Sequence, residues 1–164
     1  MTVHIDLAKA KALVEECIAE RGEKHVYEKE GSTCKYVHNV KQVMGGNEFE
    51  YEDDFTEAVP GCIVGLALSK AGVPLDFMGG SRNMDGSNDL LDAAQRHGLI
   101  TYTDQAEAFL ANCQASQDGG AEWGESAKQA ALGNQLDKEF NYSNYVNGEP
   151  EFMGFRVIPG APIE

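Results

Sequence analysis

The chain of 164 residues, 42% hydrophobic and 24% charged, is long enough for one domain with a core of its own. Its net charge of −14 arises after residue 41: residues 1–41 carry seven Lys/Arg and seven Asp/Glu, residues 42–164 six against twenty. That field argues against direct nucleic-acid binding, which needs clustered Lys and Arg, and favours a partner with a basic surface.

The start, MTVHIDLAKAKALVEE, is amphipathic and acidic rather than leader-like. The apolar stretch Cys62–Leu68 is too short to span a bilayer. A cytoplasmic location without membrane contact is therefore expected. The four cysteines, Cys17, Cys34, Cys62 and Cys113, are widely spaced with no C-x-x-C pair, and are expected to be reduced and mostly buried.

In chain order, residues 6–21 predict a helix. Asp6 is its cap, Ala10, Leu13, Val14, Cys17 and Ile18 form one apolar face, and Gly22 is the left-handed stop. Two β-type runs, around His25–Tyr27 and Lys35–Val37, predict a hairpin turning near Gly31-Ser32. In Gly45–Glu57, Phe49 and Tyr51 alternate with Glu48, Glu50 and Glu52, and Asp53, Asp54 and Glu57 extend the acidic run. As an edge strand it is protected from aggregation by its own charge. The same composition suits docking, with Phe49, Glu50, Tyr51, Asp53, Asp54 and Phe55 as the partner-binding set.

From Gly61 to Ala71 a helix with almost no polar face is expected, enclosed on all sides, with Gly65 admitting a neighbouring backbone. A glycine-rich loop then leads into a helix over 88–97 capped by Ser87. Thr103 caps a helix over 104–117, and another spans 121–139, with Trp123, Ala127, Ala130 and Ala131 on one side. Gly124 and Gly133 inside it imply close packing or a bend. Residues 1–139 thus form a single α+β domain, a bundle of about five helices with a small antiparallel sheet of two or three strands. Residues 140–164 form a C-terminal arm or tail.

Three segments carry a resemblance: CKYVHN (Cys34–Asn39), PGCIVGLALSKAGV (Pro60–Val73) and CQASQDGGAEWGESAKQA (Cys113–Ala130). Together they resemble a group of small, functionally uncharacterised proteins encoded by tailed phages of actinobacteria. Those proteins join a C-x-Y segment, a P-x-C-I-V-G helix and a Q-D-x-G-x-x-W helix pair. Here Val40–Val59, with the acidic strand, is inserted ahead of the P-x-C-I-V-G helix. The resemblance implies a phage gene product acting in a host bacterial cytoplasm, and no activity.

Three candidate sites follow from the residues. Cys62, at a helix N-terminus, is placed like an activated thiolate, with His38 or His97 as base, although no thiol-hydrolase signature surrounds it and a packed small residue is the simpler reading. Cys34, His38 and Cys62 have metal-ligand chemistry, but Cys34 and His38 lie about 13 Å apart on an extended strand, too far for one zinc ion. The Gly79–Asn88 loop, with Gly79, Gly80, Ser81 and Arg82, has the makings of a nucleotide or small-anion nest but lacks a phosphate-binding signature. No metal or cofactor is expected. The reading that results is a non-enzymatic phage accessory protein, of the host-takeover or anti-defence kind, that binds a host protein with a basic surface. The alternatives are a nucleotide-sequestering protein using the loop and a cysteine-dependent enzyme using Cys62. An open strand edge would also permit self-association, which its like charges oppose.

Overall fold

The computed structural model describes residues 2–31, 34–47, 49–138, 151–152 and 154–163. Ser32 of the expected turn, Glu48 of the acidic run and much of the tail therefore lie outside the described residues. The fold is α+β, as the sequence predicts. Among the described residues there are six helices, α1 (Leu7–Arg21), α2 (Ile63–Lys70), α3 (Leu75–Gly79), α4 (Ser87–Arg96), α5 (Asp104–Asp118) and α6 (Trp123–Ala131).

The fifth helix is the hub, touching α1, α2, α4 and α6. A helix packed on several sides buries polar positions as well as apolar ones, so Asn112, Ser116 and Gln117 of α5 are buried beside Phe109, Leu110 and Cys113. Each finds partners, as buried polar groups must. Asn112 is bonded to Ala161 through both ends of its amide, at 3.1 Å each. The Ser116 hydroxyl accepts from the Leu136 N–H at 2.8 Å.

Caps read from sequence set several boundaries. Asp6 accepts from the Lys9 N–H at 2.8 Å, Thr103 accepts from the Ala106 N–H, and Gly22 ends α1 at φ 102°. Elsewhere the structure differs. The first turn of α4 begins at Ser87, with Gly86 as its cap, and Ser87 is buried rather than capping. The last helix stops at Ala131 instead of running to 139: Gly133 adopts φ 79° and turns the chain into β7 (Asn134–Asp137).

The sheets are small. β1 (Val3–Ile5) pairs in parallel with β6 (Ile100–Tyr102), beside the antiparallel pairing expected of a small sheet. β7 pairs with β9 (Phe155–Pro159), which also pairs with β8 (Glu151–Phe152), so the described C-terminal residues add a sheet to α5 and α6.

The hairpin expected between His25–Tyr27 and Lys35–Val37 does not form. Val26 bridges Glu122, and β2 (Val37–His38) pairs instead with β5 (Val59–Pro60). Two short alternating runs do not specify each other as partners. The tie between them is a side chain: the Tyr27 hydroxyl accepts from the Lys35 N–H at 2.8 Å and lies 2.6 Å from His38 Nε2.

Candidate functional site: an acidic arm and a junction of three motifs

The inserted segment forms an arm. At its base, β2 and β5 pair inside the body, with Val37 fully buried. Further out, β3 (Lys41–Met44) pairs with β4 (Tyr51–Asp54), and among the described residues this ladder hydrogen-bonds to no other strand. Between the two ladders lies a joint. Asn39 takes a left-handed φ of 62°, and its N–H is held by Glu30 Oε2 at 2.7 Å. On the return strand, Asp54 accepts from the Thr56 N–H at 2.9 Å, and a 2.5 Å Lys41–Glu57 ion pair spans the joint. Phe55 rests on the body: a Cβ at Gly79 would fall 2.7 Å from its ring, so that glycine makes room for it.

Beyond the joint the surface is both apolar and acidic. Phe49 is 85% exposed, Tyr51 65%, Met44 62% and Val43 43%, with Glu50, Glu52 and Asp53 exposed among them. Of the six expected partner-binding residues, Phe49, Glu50, Tyr51 and Asp53 thus lie on the open arm. Asp54 is half-buried and engaged with Thr56, and Phe55 anchors the arm. Val43 and Met44 were missed. Their signal was the short run Lys41–Met44 just before Gly45-Gly46, a strand with its turn.

The three motifs of the resemblance meet at one place. Gly65 of α2 lies so close to the Tyr36 carbonyl that a Cβ there would be 2.2 Å from the oxygen. Gln117 accepts from the Ile63 N–H at 3.3 Å, satisfying a free donor at the start of α2. Its amide also donates to Asp118 Oδ1, as does Gln114 at 2.9 Å. The Cys34 thiol lines the same spot as the Asp118 carboxylate. Burial raises the Asp118 pKa above the usual carboxylate value, and Cys34, Gln117 and Gln114 oppose the rise. Burial, then the nearby Asp118 charge, pushes the Cys34 thiol up to about 12.

Cys62 is the N-cap of α2. Its Sγ accepts from the Gly65 N–H at 3.4 Å, and the residue is fully buried. Burial outweighs the helix N–H contacts and pushes its pKa up to about 12, opposite to what a thiolate nucleophile needs. The proposed bases are engaged elsewhere. His38 Nε2 is held by Tyr27, and His97 Nδ1 lies 2.9 Å from the Ala93 carbonyl with its ring against Phe77. No three His, Cys, Asp or Glu side chains come together for a metal ion among the described residues. Thiol reagents at neutral pH are expected to spare Cys17, Cys62 and Cys113 in the native protein and to reach all four cysteines after denaturation. Fast, selective labelling of native Cys62 would contradict this placement.

His38 carries a pH dependence. Burial lowers its pKa below 6.5, outweighing the pull of the Glu30 charge. The native state therefore resists protonation more than the unfolded chain does. Stability is full above 6.5 and falls as the pH drops through the depressed native value. Urea midpoints measured on acidification are expected to decline, less steeply in His38→Gln. Identical profiles would contradict this.

The Gly79–Asn88 loop is committed to structure. Asn83 pairs with the backbone of Val37 like a strand, accepting from its N–H at 2.9 Å and donating to its carbonyl at 3.0 Å. Arg82 stacks on Phe77, 4.3 Å from the ring centroid. Ser81 is exposed, and Gly80 lies beside the Asp53 carboxylate, which opposes an anion.

Among the described residues no helix is long and apolar enough to cross a membrane. Compared with protein-family models, curated proteins and solved structures, the chain matches none.

Proposed function

We propose that the protein acts by binding another protein, and that the arm is the part that binds. The observation that carries this reading is the arm itself. Val43, Met44 and Tyr51 stand exposed on a two-stranded ladder, and Phe49 on its turn, with no other strand hydrogen-bonded to that ladder among the described residues. Met44 and Tyr51 are cross-strand partners on one face of the ladder, and exposed apolar pairs of this kind mark interaction surfaces, while an isolated hairpin gains stability by being covered. The carboxylates around them select a partner with a basic surface. The resemblance to actinobacterial phage proteins supports a host protein, met in the host bacterial cytoplasm, as that partner. The inert environment of Cys62 supports a role without catalysis.

The test begins with a protein captured from actinobacterial lysate on the immobilised chain and continues with its measured affinity. Tyr51→Ala with Phe49→Ala is expected to weaken binding by about 2 kcal/mol or more, roughly thirty-fold, because interface energy concentrates in aromatic anchors. Unchanged affinity in this folded double variant would refute the assignment.

A further inference from the structure

A cavity of about 170 Å³ opens at the junction of the motifs, lined by Cys34, Tyr36, Asp85, Ser87, Gln114 and Asp118 among others. It has room for about five or six waters, or for the head of one small polar group. We propose that it is a binding site for a small organic cation with N–H donors, a guanidinium or alkylammonium head.

Two independent observations point to a ligand. Gln114 lines the cavity, and its amide Oε1 is buried with no hydrogen-bond partner among the described residues. A buried acceptor without a partner costs free energy that a ligand's N–H donor recovers. Across the cavity, Asp118 is a partly buried carboxylate that accepts from two neutral amides, with Lys29 acting on it only through its charge. Taking that charge out of water is costly, and a cation would offset the cost.

The sign of the ligand follows from the surroundings. The start of α4, at Gly86 and Ser87, has no side-chain cap, which alone would suit an anion. Asp89 occupies the first turn, however, and Asp85 precedes it. Asp118, Asp85 and Asp89 all act on the Tyr36 hydroxyl, which donates to the Asp85 carbonyl at 2.5 Å. Lys35 also lines the cavity, but its ammonium lies 3.5 Å from the Glu30 carboxylate. Lys29 acts on Asp118 from outside the lining. Two carboxylates in the lining and Asp89 beside them, against Lys29 and an engaged Lys35, favour a cation and repel an anion. Met84, which is 67% exposed, forms an apolar lip suited to an alkyl stem.

The same head group is carried by free amines or guanidines and by Arg or Lys side chains. The test titrates the labelled protein with methylguanidinium, methylammonium, an Arg-containing peptide and, as the anionic control, acetate, read by amide shifts at constant ionic strength. The cations are expected to give saturable shifts at Tyr36, Ser87, Gln114 and Asp118, and acetate none. Asp118→Asn should weaken binding at least tenfold and Asp85→Asn several-fold. Glu50→Gln/Asp53→Asn/Asp54→Asn on the arm should leave it unchanged, which separates this site from the arm. A peptide much tighter than methylguanidinium identifies a polypeptide side chain as the natural occupant, and equal affinities a free cation. Should Asp118→Asn fail to fold, the exposed Asp85→Asn carries the test. Unsaturable shifts spread over the acidic surface, binding of acetate instead, or equal affinity in the folded variants would overturn the proposal.

Discussion

Replacing Trp123 with alanine is expected to lower the free energy of unfolding by about 3–5 kcal/mol. The ring is fully buried at the start of α6. His25 meets it edge-on at 4.6 Å between centroids, and the Arg21 guanidinium lies 5.5 Å from its centroid. Arg21 also donates to the Pro60 carbonyl at 2.9 Å, so one indole organises the end of α1, the start of α6 and the approach to α2. The backbone follows the same path, with the Trp123 N–H donating to His25 and the Gly124 N–H to Glu23, both at 2.8 Å. A cavity of that size cannot close while three elements are held apart by their own hydrogen bonds. Since domains of this size are typically stable by about 5–15 kcal/mol, the variant should be marginal. Urea unfolding followed by far-ultraviolet circular dichroism measures it. A loss under about 1 kcal/mol would show that the ring is not a core anchor.

Gly65→Ala sets two effects of opposite sign against each other. In an ordinary helix interior the change gains about 1 kcal/mol. Here the new Cβ would lie 2.2 Å from the Tyr36 carbonyl oxygen and 2.9 Å from its carbon, both backbone atoms. Retreat is blocked on the other side, because Tyr36 O accepts from the Gly61 N–H at 2.8 Å and the next residue is clamped by Asn83. Overpacking against a fixed backbone costs about 1–3 kcal/mol and sometimes more, so we expect a net loss of about 2 kcal/mol or greater. The largest amide-shift changes should fall at Cys34–Val37. A stabilised variant would mean that α2 and the C-x-Y segment are not in contact.

Legibility in the sequence followed the range of the interactions. The starts of α1 and α5 were readable because Asp6 and Thr103 act within three residues of themselves. The close approach at Gly65 was readable because a glycine in a fully apolar helix has few other uses. The end of α6 was not: an alanine-rich stretch looks helical past Ala131, and Gly133 acts as a stop only once its φ is positive. The β1–β6 pairing was invisible because three-residue strands carry no pattern that names a distant partner. Of the acidic alternation only Tyr51–Asp54 is strand, with Phe49 and Glu50 in the turn before it, and its partner Lys41–Met44 is too short and mixed to declare itself. The motif junction was half legible. Its segments stood out one by one, but that Cys34 meets Asp118, and that Ser87 turns into the cavity instead of capping α4, depends on tertiary packing.

The central claim is that the charged arm recognises a partner, and its most direct test is the salt dependence of that association. Glu50→Gln/Asp53→Asn/Asp54→Asn should leave the unfolding midpoint nearly unchanged, because exposed and half-exposed carboxylates contribute little to stability. Wild type should bind its captured partner less well as salt is raised, chiefly through a slower on-rate, because screening removes the steering. The account predicts that the triple variant binds more weakly at low salt and varies little with salt thereafter. Equal affinity and equal salt slope in the variant and wild type, with the fold intact, would contradict it and leave the arm a solubilising edge.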